Sequence, residues 1–277
     1  MGALHDGHRS LVRRARVECD RVVVSIFVNP RQFGASEDID RYPQTLDDDV
    51  RMLTHERADA VFVPTAEAMY GRDNATSVHV DTALTGVLEG AHRPGHFDGV
   101  ALIVAKLLVA CRPQRAYFGQ KDAQQCTVVR RLAADLDTGA EIVVCPVIRD
   151  ADGLALSSRN AYLTADERGR ALAIPIGLSA AAEAYGEGER RAATLCALVR
   201  QAMARAGFVI DYVVAVDAGT LAEVDAAGPG CQILVAGRMG ATRLIDVIRL
   251  GIDAAPLGRV GRHGTEIPGI KGTQGRA

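Results

Sequence analysis

The first half of the chain alternates short apolar runs with amphipathic segments, and this order restricts the possible folds. Segments with helical spacing lie at about residues 8–18, 44–57, 97–111 and 122–136, and the strand-like runs are Arg21–Asn29, Ala60–Pro64, Arg115–Gly119 and Glu141–Pro146. Strands that alternate with helices form crossover units and therefore a parallel sheet. The nearly continuous apolar run Arg21–Asn29 predicts a strand that is buried on both faces.

The second half of the chain has a different pattern. Alanine-rich helical segments precede three strand-like runs that turn residues separate, Ile210–Asp217, Cys231–Ala236 and Thr242–Val247. We therefore predict a parallel-sheet α/β domain over residues 1–147 and a smaller α+β domain over residues 148–257. The Gly-rich, basic stretch 258–277 has no periodicity and is predicted to be a disordered tail.

Charge and cysteine content exclude several classes of protein. The formal net charge is −2, so no nucleic-acid partner and no anionic membrane surface is expected. The sequence contains no signal peptide and no apolar run of membrane-spanning length. The six cysteines are too widely spaced for a zinc knuckle or a redox pair, and they indicate buried, reduced thiols in a cytoplasmic protein.

The stretch His5-Asp6-Gly7-His8 lies at a predicted helix start. A helix N-terminus offers backbone N–H groups and partial positive charge, which suits phosphates, and imidazoles there can donate hydrogen bonds to phosphate oxygens. The alternative is a helix cap with two exposed histidines. Zinc is a further option, but no third ligand with usable spacing is present.

Two further polar stretches are candidates for small-molecule binding. Asn29 and Gln32 follow the first strand-like run, at the end of the sheet where ligands of parallel sheets bind. The loop Glu89–Gly99 combines glycines, a proline and ionisable side chains, and such a loop is costly to order unless it binds something. In the alternative interpretations, Asn29 and Gln32 belong to an ordinary strand-ending turn, and Glu89–Gly99 is a mobile surface loop.

The last two stretches could bind phosphates. Lys121 follows Gly119 at another strand end, where its ammonium group can contact a phosphate as a point charge. In the alternative interpretation this stretch is a helix start that Asp122 caps. Ser157, Ser158 and Arg159 can wrap a triphosphate through hydroxyl and guanidinium donors, or they belong to a polar linker between domains.

Taken together and in this order, the stretches resemble the pantoate–β-alanine ligase family, whose members form AMP. The resemblance runs from residue 1 to about residue 250, and the matching stretches are Met1–His8, Phe27–Phe33, Tyr42-Pro43, Arg93–Val100, Phe118–Gln125 and Asp152–Leu163. It implies a Rossmann-like parallel sheet with helices on both faces, a smaller C-terminal lid domain and a homodimer.

The resemblance also implies the reaction. ATP and pantoate give pantoyl adenylate and pyrophosphate, and β-alanine then displaces AMP to give pantothenate, a step toward coenzyme A. ATP is the co-substrate and is accompanied by Mg²⁺, and no tightly bound organic cofactor is implied.

Site residues follow from the matching positions. The implied catalytic residues are His5, His8, Lys121, Ser157, Ser158 and Arg159, and ATP would also contact Met1, Gly119, Asp122 and Ile148. Pantoate would bind Gln32 and Gln125, the gate over the site would contain Glu89, Arg93 and His96, and Asp48 and Asp49 would lie near the metal. No β-alanine-binding residue is assigned.

The chain departs from the family pattern at its start. Family members have a strand and a Pro-Thr pair before the Met-Gly-Ala-Leu-His motif, and this sequence begins at that Met1. Without the central strand of its sheet the chain is expected to lose roughly 5–10 kcal/mol of stability, and a start codon set too far downstream would explain the difference. Two other functions remain alternatives to the ligase activity. One is a truncated or degenerate homologue that binds nucleotide without catalysis, and the other is a related nucleotidyltransferase that acts on a phosphate.

Overall fold

The computed structural model describes residues 2–34 and 39–257. Met1 and the predicted tail 258–277 lie outside the described residues. The chain divides into two compact units, Met1–Ile148 and Arg149–Ala277.

The first unit consists of short parallel strands and the helices that connect them. Its helices are α1 (Asp6–Glu18), α2 (Leu46–His55), α3 (Ala66–Tyr70), α4 (Thr82–Thr85), α5 (Glu89–His92), α6 (His96–Cys111) and α7 (Ala123–Asp135). Its strands are β1 (Val23–Ser25), β2 (Ala60–Phe62), β3 (Arg115–Gly119) and β4 (Glu141–Cys145). Short 3₁₀ turns follow two strands, at Pro30–Gln32 and Gln120–Asp122.

The strands of this unit pair in parallel, as the alternating pattern predicts. β1 pairs with β2 and β3 pairs with β4, and these are two separate two-stranded sheets in the described residues. The first strand is shorter than the predicted Arg21–Asn29, and its burial on both faces was predicted wrongly, since Val23 is 54% exposed. Val24 and Ser25 are half-buried, so the packed elements do not cover β1 completely on both faces.

Two apolar clusters hold the first unit together. The larger cluster joins α6 to α7 through residues such as Val100, Leu108 and Val129. The smaller one joins α1, β1 and α2 through Val12, Ala15, Val22, Ile26 and Leu53. The second cluster fixes the start of α1 relative to α2. No helix in the described part of the chain is long and apolar enough to cross a membrane.

The second unit packs three helices on an antiparallel sheet. The helices are α8 (Ala165–Ala171), α9 (Ala173–Gly186) and α10 (Ala192–Arg205), and the strands are β5 (Val209–Val216), β6 (Gln232–Met239) and β7 (Thr242–Arg249). β6 lies between β5 and β7, and both pairings are antiparallel. The core between the layers contains fully buried side chains, among them Leu178, Leu195, Val199, Ile233 and Ile248.

All six cysteines are free thiols, and four of them, Cys126, Cys145, Cys196 and Cys231, are buried. Burial raises the pKa of Cys126 to about 12, so this thiol stays protonated at neutral pH. Burial of most cysteines as small apolar side chains is therefore confirmed, and the exceptions are the half-buried Cys19 and the exposed Cys111.

A buried ion pair fixes the beginning of the second unit to β7. Arg149 donates to both carboxylate oxygens of Asp246, at 2.6 and 3.0 Å, and to the backbone oxygens of Gly153 and Val247. The Asp246 side chain is 1% exposed and that of Arg149 is 16% exposed. The pair therefore orders the backbone that leads into the polar segment 157–159.

Replacing Asp246 with alanine should lower the free energy of unfolding by about 3–5 kcal/mol, because it leaves the buried Arg149 charge without its partner. Urea unfolding of the two proteins measures the difference. The matched control is Asp135→Ala, which breaks an exposed pair with Arg131 on α7 and should change stability by less than about 1 kcal/mol. Equal losses in the two variants would contradict the prediction.

Candidate active site

The two histidines of the first motif form a reciprocal cap at the start of α1. The Nδ1 atom of His5 accepts a hydrogen bond from the backbone N–H of Gly7 at 3.1 Å, and the Nδ1 atom of His8 accepts from the backbone N–H of His5 at 3.2 Å. The ring centroids are 4.2 Å apart. Because each Nδ1 atom is an acceptor, each neutral ring carries its proton on Nε2. The helix cap of the alternative interpretation is therefore found, but the two histidines are half-buried and not exposed, and the phosphate-binding role remains a prediction.

The environment of His8 keeps its ring neutral. Burial, the neighbouring His5 and the charge of Lys121 lower the pKa of His8 from 6.5 to about 3. At neutral pH the His8 ring is therefore uncharged. Lys121 forms no ion pair with any described residue, so its positive charge is available beside the histidine pair. Together these three side chains and the helix N-terminus suit an anion such as a phosphate.

The lowered pKa of His8 predicts a pH-dependent stability. In the unfolded chain the ring takes up a proton as the pH falls below 6.5, while in the folded protein it stays neutral until about pH 3. The unfolded state then binds more protons, so the free energy of unfolding should fall by up to about 1.4 kcal/mol per pH unit below 6.5. Urea unfolding between pH 6.5 and 5 measures this slope.

The matched control is His8→Asn, whose side-chain oxygen can still accept from the backbone N–H of His5. This variant should lose the His8 contribution to the slope. The lowered pKa values of Glu56 and Glu189, each about 2, affect stability mainly below about pH 5 and act equally in both proteins, so their effect cancels in the comparison. The same slope in the variant and the parent would contradict the assignment.

A second polar group lies after β1, around the buried side chain of Asn29, which is 1% exposed. Its Nδ2 atom donates to the side-chain oxygen of Gln32 at 3.2 Å and to the backbone oxygen of Gly99 at 3.1 Å. The hydroxyl of Tyr70 donates to the Asn29 Oδ1 atom at 2.6 Å. The Gln32 amide is thereby oriented with its oxygen toward Asn29 and its NH₂ group directed elsewhere. Sequence reasoning did not identify Tyr70, which lies 41 residues away along the chain.

The predicted gate residues contact the same segment. His96 Nδ1 lies 2.8 Å from the backbone oxygen of Gln32, Arg93 Nη2 donates to that oxygen at 3.3 Å, and Arg93 Nη1 lies 3.1 Å from His96 Nε2. His96 and Glu89 are 9% and 8% exposed. The interpretation of Glu89–Gly99 as an irregular surface loop is therefore wrong, because this stretch contains α5 and the first turn of α6. The role of Glu89, Arg93 and His96 as a gate over the site remains a prediction.

Two adjacent glutamines at the start of α7 have different environments. Gln124 is buried, donates to the backbone oxygens of Leu84 and Val87 at 2.8 Å each, and accepts from the backbone N–H of Glu89 at 2.9 Å. Gln125 is half-buried and makes no hydrogen bond to any described residue. The Gln124 amide therefore uses its hydrogen bonds to fix the backbone of segment 84–89, while the amide of Gln125 remains available for a ligand.

The two predicted metal-site carboxylates do not share a site. Asp48 is exposed and pairs with Arg51, whereas Asp49 is 2% exposed and accepts from the backbone N–H of Leu4 at 2.8 Å. Consecutive residues of a helix point about 100° apart, which explains the difference. Within residues 2–34 and 39–257 no group of three His, Cys, Asp or Glu side chains could hold a metal. The pair Asp48 and Asp49 therefore does not fit a common magnesium site.

The remaining positions assigned to ATP in the first unit lie at element ends. Gly119 is the last residue of β3, and Ile148 is the last residue of the unit. Asp122 is exposed and takes the N-cap position of α7, but its side chain makes no capping hydrogen bond. The alternative role of Asp122 as a helix cap is therefore not found. Met1 lies outside the described residues.

In the second unit the segment around Ser157 is ordered. Ser157 caps a 3₁₀ turn, Ser158–Tyr162, by accepting from the backbone N–H of Arg159 at 3.3 Å. Asn160 donates to the backbone oxygen of Ala155 at 3.0 Å, and all these side chains are half-buried. The hydroxyl and guanidinium groups of Ser157, Ser158 and Arg159 are therefore carried on one short turn.

Comparison with known proteins identifies the family. The family model described as pantoate-beta-alanine ligase matches residues 1–249. The chain belongs to this family. It is 50% identical over 252 residues to a pantothenate synthetase of Acidobacterium capsulatum, covering 91% of this chain and 84% of the relative. The resemblance inferred from the motifs is therefore confirmed.

Solved structures of the family share the fold. A crystal structure of pantothenate synthetase from Thermus thermophilus matches with a TM-score of 0.88 and 45% identity, covering 90% of each chain. A pantoate-beta-alanine ligase from Francisella tularensis, crystallised in complex with beta-gamma ATP and beta-alanine, matches with a TM-score of 0.72 and 32% identity, covering 90% of this chain and 87% of the other.

Some relatives in this family are longer. A bifunctional pantoate ligase/cytidylate kinase of Gloeobacter violaceus is 52% identical over 253 residues, which cover 91% of this chain and 49% of the relative. The chain thus spans about half the length of the bifunctional relatives it matches.

Proposed function

We propose that this chain condenses pantoate with β-alanine to give pantothenate, with ATP as co-substrate and pantoyl adenylate as the intermediate. The family match supports this activity, and the Francisella ligase was crystallised with beta-gamma ATP and beta-alanine. In this chain the observation that carries the proposal is the histidine pair at the start of α1 beside the charge of Lys121, which no described residue neutralises.

In the first step a carboxylate oxygen of pantoate attacks the α-phosphorus of ATP, and the bond to pyrophosphate breaks. Such a step depends on positioning and on neutralising phosphate charge more than on a general base. His5 and His8 would donate hydrogen bonds from Nε2, and Lys121 would supply a positive charge. The neutral state of His8 is compatible with this role, because its Nδ1 atom accepts from the backbone and its proton therefore lies on Nε2.

Pantoate would lie between Gln32 and Gln125. Both side chains are neutral amides, which can donate to the hydroxyls and carboxylate of a hydroxylated acid without a strong charge. A hydrogen bond from Asn29 to the Gln32 side-chain oxygen fixes the orientation of this amide. Gln125 supplies an amide that is not used for packing.

In the second step the β-alanine amine attacks the acyl carbon of the adenylate, AMP leaves, and the amine releases a proton to water. A labile acyl phosphate requires protection from water. Glu89, Arg93 and His96 would provide this as the gate, and Ser157, Ser158 and Arg159 of the second unit would bind phosphate oxygens. Mg²⁺ would enter with the triphosphate, since Asp48 and Asp49 do not fit a common metal site.

Two assays test the proposal. Pantoate should be required for exchange of labelled pyrophosphate into ATP, and addition of β-alanine should release AMP and pantothenate in equal amounts. Exchange that needs a phosphorylated acceptor in place of pantoate would point to the related nucleotidyltransferases. Calorimetric binding of ATP without exchange or AMP release would point to the degenerate homologue, which the high identity to pantothenate synthetases does not favour.

The assembly and the location of the protein are also proposals. Family resemblance suggests a homodimer, and sedimentation analysis should then give a mass twice that of the chain. Free, mostly buried thiols are consistent with a reducing cytoplasm.

A further inference from the structure

The backbone before the histidine pair has an unusual conformation. Gly2 and Ala3 both have positive φ angles, 94° and 49°. Few residues other than glycine adopt this region, because the Cβ atom approaches the following carbonyl oxygen. Gly2 adopts this region freely, whereas Ala3 carries a Cβ atom and keeps this conformation only where the surrounding structure holds it.

The contact that holds this backbone comes from α2. The Asp49 Oδ1 atom accepts from the backbone N–H of Leu4 at 2.8 Å and from the Thr45 hydroxyl at 3.2 Å. The Oδ2 atom is buried without a hydrogen-bond partner among the described residues, and a Cβ atom on Gly2 would lie 3.3 Å from it. A carboxylate in the first turn of a helix is stabilised by the backbone N–H groups there.

We propose that Asp49 is a positioning residue for the histidine pair and not a magnesium ligand. Leu4 directly precedes His5, whose backbone N–H donates to His8 and whose ring accepts from Gly7. Fixing the Leu4 peptide therefore fixes the N-cap, and with it the directions of both Nε2–H groups. The catalytic part of this inference rests on the proposed function, while the structural part does not.

The burial of Asp49 separates this role from metal binding. Its carboxylate is 2% exposed and is occupied by the backbone of Leu4, whereas Asp47 and Asp48 on the same helix are exposed. Asp49 also shares a helix face with Leu53, four residues later, which belongs to the apolar cluster between α1 and α2. Its side chain thus points into the packing beneath the motif.

Two substitutions of Asp49 separate the possibilities. Asp49→Asn keeps an oxygen that can accept from Leu4 but removes the charge that a metal would require. Asp49→Leu has a similar volume and no acceptor. Asp47→Asn, which removes an exposed carboxylate from the same helical turn, is the matched control.

The first measurement uses nitrogen-15 NMR of the histidine rings without ATP or metal. In the parent, Asp49→Asn and Asp47→Asn we expect His8 to keep the Nε2–H tautomer and a strongly lowered pKa. In Asp49→Leu the pKa of His8 should move by at least one unit toward 6.5. This measurement remains informative if the protein proves to have a different substrate.

The second measurement is the turnover of pantoate-dependent exchange as a function of Mg²⁺ concentration. Asp49→Asn should retain turnover within about threefold and an unchanged Mg²⁺ requirement, while Asp49→Leu should lose about 10- to 100-fold in turnover, because small displacements of catalytic groups have effects of this size.

A Mg²⁺ requirement that rises tenfold in Asp49→Asn, with His8 signals unchanged, would overturn the proposal in favour of metal binding. Unchanged His8 signals in a folded Asp49→Leu would also overturn it. If Asp49→Leu does not fold, the comparison of Asp49→Asn with Asp47→Asn still decides between the two roles. Absence of exchange in the parent, with the expected NMR result, would reject the proposed function alone.

Discussion

Replacing Lys121 with alanine is expected to lower the turnover of pantoate-dependent pyrophosphate exchange at least about 100-fold, the usual effect of removing one well-placed transition-state donor. The reason is that the neighbouring His8 ring carries no charge at neutral pH, since its pKa is lowered to about 3. All four arginines of α1 pair with carboxylates. Arg9 pairs with Asp6 and Glu56, and Arg13 also pairs with Glu56. Arg14 pairs with Glu18, and Arg16 pairs with Asp59. Lys121 would therefore supply the positive charge on this side of the phosphates.

Lys106 provides the matched control for this experiment. It is half-buried on α6 and forms no ion pair with a described residue, and Lys106→Ala should leave turnover within about twofold of the parent. Lys121→Arg keeps the charge but changes the shape of its head group, and we expect a smaller loss than in Lys121→Ala. Circular dichroism checks that each variant is folded. Turnover of Lys121→Ala equal to that of Lys106→Ala would remove Lys121 from the mechanism.

The local part of the candidate site could be predicted from sequence. His5 and His8 are three residues apart at a helix start, and this spacing alone places both rings at the same end of α1. Lys121 follows a strand-like run and precedes a helix, which locates it at the end of β3. These inferences depend on neighbours within a few residues, where helix and strand geometry determines direction.

The contacts between distant segments could not be predicted in this way. Arg93 and His96 bind the backbone oxygen of Gln32, and these residues are 61 and 64 positions away along the chain. Every residue has a backbone carbonyl, so the residue types in the sequence do not indicate which carbonyl will accept a hydrogen bond. The different roles of Gln124 and Gln125 have the same origin, because only the packing of α4 and α5 on α7 decides which amide is buried.

The burial of Asp49 could have been predicted from the helical spacing in the sequence. In the run Asp47-Asp48-Asp49 only the last residue shares a helix face with Leu53, and both are buried. Helical spacing of four residues therefore predicts a buried Asp49 beside exposed Asp47 and Asp48. The expectation that Asp48 and Asp49 lie near the metal came from the family resemblance, which does not use this periodicity.

Gly99→Ala is expected to disrupt the contact between α6 and the segment after β1. A Cβ atom at this position would lie 2.1 Å from the backbone oxygen of Arg31 and 2.6 Å from the backbone nitrogen of Gln32. These are backbone atoms, which cannot rotate away as a side chain can, so the helix and the segment must separate. Overpacking of this kind commonly costs about 1–3 kcal/mol in stability.

The displacement should also affect the substrate site. Separation would break the hydrogen bond from Asn29 to the Gly99 oxygen and would strain the contacts of Arg93 and His96 with Gln32. Because Gln32 is the proposed pantoate ligand, the KM for pantoate should rise about tenfold or more, a change equivalent to the loss of roughly 1.4 kcal/mol of binding. Urea unfolding and the pantoate dependence of exchange measure the two effects separately.

Gly169→Ala is the matched control, since this glycine lies within α8 and a Cβ atom there would meet nothing within 4 Å. Alanine has the higher helix propensity, so this variant should be as stable as the parent or more stable by up to about 1 kcal/mol. A Gly99→Ala protein with the stability and the pantoate KM of the parent would show that α6 and the Arg31–Gln32 backbone do not approach each other closely. The link from Asn29 through Gly99 to the proposed pantoate site would then fail, while the roles of His8 and Lys121 would be unaffected.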